Sequence, residues 1–170
     1  MGLESSKRDM PMPERGDAPD RFERAILDAL QDDARLSVQD LAQRIGLSTS
    51  PTWRRLKALE ERGIIRGYVA LVDAAALDHG QCVFAHVTLA KHDREGVAEF
   101  ERVIGRRDEV LECFSTTGQA DYLLRVVVRD ARHYERFLQE AVFSCPAVQQ
   151  IHSNFALREV KFSVKVPTGA

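Results

Sequence analysis

Ser48, Thr49, Ser50, Trp53, Arg54, Arg55 and Lys57 fall within ten consecutive positions. Hydroxyls followed by cations are the side chains that bind phosphate oxygens and the edges of bases. At about 100° per residue, Thr52, Leu56 and Leu59 share one stripe and Ser50, Arg54 and Lys57 the opposite face, with Trp53 and Arg55 on the flanks. Glu60 and Glu61 stand at the far end. Hydroxyls at the N-terminal end and cations in the middle suit a helix that enters the major groove of double-stranded DNA N-terminus first. Ser48 is expected to cap this helix and touch phosphate. Thr49, Ser50, Arg54 and Lys57 are the candidates for groove contacts, Arg55 bridges to the DNA backbone, and Trp53 is a lesser candidate.

Other chemistry is poorly supported. Cys82, Cys113 and Cys145 are odd in number and lack CxxC spacing, so neither a disulfide framework nor a zinc site is expected. His79, His86, His92, His133 and His152 are scattered without metal-ligand spacing, and His86 is given no ligand role. No Ser/His/Asp constellation, paired catalytic carboxylates or phosphate-cradling glycine loop can be located. No enzyme activity, metal or cofactor is therefore expected.

The helix that carries these residues needs a scaffold, and the flanking sequence supplies one. Ser37 with Asp40 reads as a capping pair, and Val38, Leu41, Ala42 and Ile45 recur at helical spacing before Gly46. Ser48 then opens the next helix, whose Pro51 lies in the first turn, where its missing N–H costs nothing, and which runs out at Gly63. Two short helices around a tight turn form a helix-turn-helix. Upstream, Asp20 with Glu23 caps a first helix whose Phe22, Ile26, Ala29 and Leu30 share a face. Downstream, Ile64 to Val72 has strand-forming composition and fits a wing. The expected organisation is a disordered tail over residues 1–19, a winged helix-turn-helix over 20–68 and a linker over 69–80.

From residue 81 the apolar period changes. Val83, Ala85, Val87 and Leu89 alternate as in a strand. Val97, Phe100, Val103 and Ile104 mark a helix, Val110 to Ser115 and Tyr122 to Val128 two strands, and Asp130 opens a helix carrying Tyr134, Phe137, Leu138, Ala141 and Val142. An extended segment from Val148 to Val166, long enough for two strands, closes the chain. The order β-α-β-β-α-β over 81–170 predicts an antiparallel ferredoxin-like sheet with both helices on one face. The fold class is thus α+β, and the uncovered sheet face calls for a second copy.

The chain has 170 residues and net charge −2. Residues 21–68 hold nine Lys or Arg against seven Asp or Glu, net +2, which leaves −4 for the remainder. DNA affinity should then be local and salt-sensitive. No segment is apolar enough to span a membrane and no signal peptide is evident, so a cytoplasmic location is expected.

Two stretches resemble one family. AILDALQDDARLSVQDLAQRIGLSTSPTWRRLKALEERGIIRGYVALVD and TTGQADYLLRVVVRD followed by a helix and CPAV together resemble the Lrp/AsnC, or feast/famine, transcriptional regulators. The SPTWRRLKALEERGII portion is most similar to the leucine-responsive and cysteine-responsive branch. The resemblance implies a homodimer that assembles into an octamer or similar ring, and an amino acid or similar metabolite bound at the turn Thr116, Thr117, Gly118, Gln119, Ala120 and Asp121. Gly118 and Asp121 match the family's G-x-x-D motif, whereas Ala120 stands where relatives often carry an aromatic residue. The chemistry fits a zwitterion: Gly118 permits a backbone whose N–H groups face a carboxylate, and Asp121 accepts from an ammonium. The function expected is a sequence-specific regulator modulated by that metabolite. A DNA-wrapping architectural protein, or an enzyme built on the ferredoxin-like domain, is the alternative.

Overall fold

The computed structural model describes residues 18–91 and 93–169. His92 and all of the expected disordered tail except Ala18 and Pro19 lie outside the described residues. The chain packs as two compact units, one spanning Val72–Val160, the other joining the residues before it to those from Lys161 onward.

Three helices form the core of the first unit. α1 (Arg21–Asp32) opens with a complete capping box: the Asp20 carboxylate accepts from the N–H groups of Phe22 and Glu23, and Glu23 accepts from the Asp20 N–H. In α2 (Val38–Ile45), Ser37 Oγ accepts from the Asp40 N–H, and Gly46 ends the helix at φ 70°, a left-handed conformation that costs glycine little. α3 (Thr49–Glu61) follows directly. Ile26, Leu41 and Leu59 are fully buried where the helices meet, with Leu30, Ile45, Leu56, Ile64 and Ile65 packed around them. Each such aliphatic side chain contributes about 1.5–3 kcal/mol through burial.

Phe22, expected on the Ile26 face, is only half-buried because its ring is a platform for cations, with the Arg21 and Arg55 guanidinium carbons 4.5 and 5.4 Å from its centroid. Among the described residues the strand expected over Ile64 to Val72 gains no ladder partner. Ile64 and Ile65 fold back onto the end of α3 through N–H bonds to the Leu59 carbonyl, and an unpaired extended stretch follows.

In the second unit a four-stranded antiparallel sheet has the order β2-β3-β1-β4, with β1 Gln81–Leu89, β2 Val110–Ser115, β3 Tyr122–Val128 and β4 Val148–Phe155. Val83, Ala85, Val87 and Leu89 of β1 and Leu124, Val126 and Val128 of β3 point to one face. There they bury Phe100 and Ile104 of α4 (Arg94–Ile104) and Tyr134 and Phe137 of α5 (Ala131–Phe137), which runs on as a π-helical turn through Val142. On the opposite sheet face Phe84 is 38% and Phe114 52% exposed.

The closing segment departs from the expected pair of strands. β4 ends at Phe155, and residues 161–169 pack with the helical unit instead of with the sheet, because α1 supplies hydrogen-bond partners for Lys165, Val166 and Thr168.

Candidate nucleic-acid interface and effector turn

The residues expected to meet DNA lie on α3, and the structure divides them by what they touch. Thr52 and Leu59 anchor the buried side; the Thr52 hydroxyl is satisfied by the Ser48 carbonyl at 2.9 Å. Ser48, Thr49, Ser50, Trp53, Arg54 and Lys57 are exposed, and Trp53 keeps 52% of its surface in solvent. Ser48 occupies the cap position, at φ −78° and ψ 161°, yet its hydroxyl makes no capping bond. The expected cap is thus a matter of backbone geometry alone.

The three cations differ. Among the described residues Arg54 makes no ion pair. Lys57 Nζ lies 2.9 Å from Glu60 Oε2, which raises the lysine and lowers the carboxyl from their ordinary values. The other Glu60 oxygen accepts from the Tyr68 hydroxyl at 3.1 Å. Burial and that carboxylate push the Tyr68 hydroxyl up to about 12. Arg55 is held from behind: its Nη1 is 2.9 Å from Asp20 Oδ2 and its plane lies over Phe22. The backbone N–H of Glu23, opposed by partial burial, holds Asp20 below the usual carboxylate value, with Phe22 N–H and Arg55 adding to the effect. At the C-terminal cap of α3, Arg62 Nη1 meets the nearly buried Glu23 at 2.8 Å. The start of α1 therefore grips α3 at two points, Arg55 and Arg62, about two helical turns apart.

In the second unit, the turn between β2 and β3 is tied to itself and to β1. The Thr116 N–H donates to the Asp121 carbonyl at 2.9 Å, and the Thr116 hydroxyl to the Ala120 carbonyl at 2.7 Å. The Asp121 N–H donates to the Val87 carbonyl, while Asp121 Oδ2 accepts from the Leu89 N–H at 2.8 Å. Gly118 sits at φ 128°, which side-chain-bearing residues avoid. Beside the turn lies an open depression of about 880 Å³ lined by Thr116, Thr117, Gln119 and Ala120 together with His86, Thr88, Leu123, Gln150 and His152. Gly118 and Asp121 do not line it; they shape the turn that does.

The lining residues from the strands escaped sequence reading. His86 and Thr88 alternate with the buried Val87, so their face was readable; that His152 and Gln150 stand directly opposite them is set by the β1–β4 register. Among the described residues no three His, Cys, Asp or Glu side chains gather as metal ligands, and no helix is long and apolar enough to cross a membrane. A smaller cleft of about 370 Å³ beside His79 and His133 is occupied by its own ion pairs, Arg107 lying 3.1 Å from both Glu109 and Glu140.

Comparison with known proteins matches both halves. Residues 19–66 fit the winged helix-turn-helix DNA-binding model and residues 82–166 the Lrp/AsnC ligand binding domain. The chain is similar to the Bkd operon transcriptional regulator of Pseudomonas aeruginosa, 46% identical over 141 residues, which cover 83% of this chain and 92% of that protein. An AsnC family transcriptional regulator from Agrobacterium tumefaciens superposes with a TM-score of 0.84 at 38% identity, over 89% of this chain and 98% of that one. A Neisseria meningitidis transcriptional regulator, solved as its L-Met complex, gives 0.83 at 34% identity, over 88% and 96%.

Proposed function

The chain belongs to the Lrp/AsnC family of DNA-binding transcriptional regulators, and on that premise we propose that it is a cytoplasmic homo-oligomer without enzymatic turnover that reads DNA with α3 and answers to an amino acid held at the Thr116–Asp121 turn. The observation that carries this reading is the joining, in one chain, of a helix presenting Ser50 and Arg54 to solvent with a ligand-binding fold whose G-x-x-D turn borders an open depression. The L-Met bound to the Neisseria relative supports an amino acid as the effector class.

The physics of the turn favours a zwitterion. Backbone N–H groups around Gly118 offer donors to a carboxylate, and Asp121, whose Oδ2 accepts from the Leu89 N–H, places a negative charge at the same turn to attract an ammonium. Ala120 leaves room where a larger side chain would narrow the site. Exposed apolar surface supports assembly: Phe84 and Phe114 on one sheet face, and Val69 and Leu71 on the extended segment after α3. A second copy covering these surfaces would also present two recognition helices to a two-fold DNA site; a ring of dimers is the fuller form of the same proposal.

Thermal unfolding of the full-length protein with each of the twenty amino acids tests the effector. A ligand that binds only the folded state stabilises it by about 2.7 kcal/mol at a hundredfold excess over Kd. Asp121→Asn keeps an oxygen to accept from the Leu89 N–H but removes the charge, so it should retain the fold and lose the stabilisation. A hit that survives in Asp121→Asn moves the site elsewhere, and the absence of any hit removes amino acids as the class.

A further inference from the structure

We propose that residues 161–169 are a releasable strap on the DNA-binding unit, and that the strap raises DNA affinity by holding α1 and, through α1, the recognition helix. Lys165 Nζ lies 2.6 Å from Asp32 Oδ1 and 3.8 Å from Asp28 Oδ1. The Gln31 side chain binds the strap backbone as a neighbouring strand would: Oε1 accepts from the Val166 N–H at 2.6 Å and Nε2 donates to the Val166 carbonyl at 3.0 Å. Thr168 Oγ1 donates to Asp28 Oδ2 at 2.7 Å, and Arg24 Nη1 donates to the carbonyls of Thr168 and Gly169 at 3.1 and 3.2 Å.

Arg24, Asp28, Gln31 and Asp32 recur at i, i+4, i+7 and i+8, so the strap follows one face of α1 for two turns. From α1 the contacts continue inward. Asp20 and Glu23 hold Arg55 and Arg62 of the recognition helix, and Asp32, which pairs with Lys165, also takes Arg44 of α2 at 2.7 Å. Helix α1 thus joins the strap to the helices that meet DNA.

The same geometry makes the strap releasable. Its anchoring groups are exposed or half-buried, where ion pairs contribute little, and ordering the segment costs backbone entropy. Docked and free states are therefore close in free energy, and small changes elsewhere decide between them. Only five residues, 156–160, separate the end of β4 from the strap. The last strand of the ligand-binding half is in this way covalently linked to the grip on α1.

Two variants of the full-length protein test the proposal. Gln31→Ala removes both amide bonds without changing charge, and a chain ended after Val160 removes the strap with Lys161 and Lys165. The readouts are amide hydrogen exchange across Arg21–Asp32 and affinity for a genomic duplex selected by the wild-type protein, at fixed salt. Both variants should exchange faster in α1 and bind DNA about threefold or more weakly, with exchange in β1–β4 unchanged. Unchanged exchange or affinity in Gln31→Ala overturns the proposal. So does a loss confined to the truncated chain, which would then report only the two missing lysines.

Discussion

Arg54 and Arg55 are neighbours on one helix, and the structure assigns them opposite costs on removal. Arg54 has no ion-pair partner among the described residues, so Arg54→Ala should leave the unfolding midpoint in place and act only on binding. If it reads a base edge, the loss is about 1–3 kcal/mol and specificity relaxes at one position, which is roughly a 5- to 150-fold rise in Kd at about 1.4 kcal/mol per decade. If it touches phosphate, the loss is uniform across sequences and the salt slope falls by about 0.9. Arg55→Ala removes the 2.9 Å pair with Asp20, whose partners are 32% and 48% exposed. At that exposure the pair contributes about 0.2–1 kcal/mol, a drop of up to several degrees for a domain of this size. Titrations of both variants against selected and random duplexes at several salt concentrations, alongside thermal melts, separate the two. A melting loss in Arg54→Ala, or an Arg55→Ala variant that melts normally and binds worse than Arg54→Ala, would refute this division of roles.

Further predictions follow from the same contacts. Asp20→Ala removes a capping box as well as the Arg55 pair, and calorimetry of the full chain should register a loss of about 1–2 kcal/mol; a neutral result would mean that the cap is formed by solvent. Asp20 and Glu60 have folded pKa values lowered from 3.8 and 4.5. Their stabilisation is thus full above those values and lost as pH falls through the lower folded ones, so acid titration by circular dichroism should show helix loss beginning below about pH 4, smaller in Asp20→Ala, where only the Glu60 share remains. At Gly118 an added Cβ meets no atom within 4 Å, so Gly118→Ala, which imposes a side chain at φ 128°, should cost about 1–3 kcal/mol through backbone strain; equal stability would mean that the turn rearranges freely. Phe84→Glu places a charge on the exposed sheet face and, on the proposed assembly, should lower the sedimenting mass, whereas an unchanged mass would move the interface off that face.

The sequence discloses what is decided locally. Asp20 with Glu23 and Ser37 with Asp40 are capping pairs at fixed spacing, Gly46 and Pro51 are fixed by backbone geometry, and the alternation of Val83, Ala85, Val87 and Leu89 tells the buried face of β1 from the bare one. What escaped was decided by pairing across the chain. The β1–β4 register puts His152 opposite His86. Phe22 carries a helical spacing indistinguishable from a core residue, yet two guanidinium groups use its ring as a platform. The tail reads as strand through Phe162, Val164 and Val166, since alternation reports only that one side is apolar. It does not say which partner lies alongside, and here Gln31 on a helix takes the place of a strand.

Asp121 shows why its motif has two constrained positions. The carboxylate accepts from the Leu89 N–H at the end of β1 while the backbone N–H of the same residue donates to the Val87 carbonyl. The turn is thereby fastened to the central strand by both its side chain and its main chain. Gly118 supplies a backbone angle that other residues resist, at the tip of the turn. The carboxylate proposed to receive an ammonium is thus also a fastener of the sheet. For that reason replacement by alanine would mix folding with binding, and Asn, which keeps the acceptor and drops the charge, separates them. The lining residues Gln119 and Ala120 join this fastening only through their carbonyls, which accept from the Thr88 and Thr116 hydroxyls, so on the proposed reading their side chains can change effector choice at little cost to the fold.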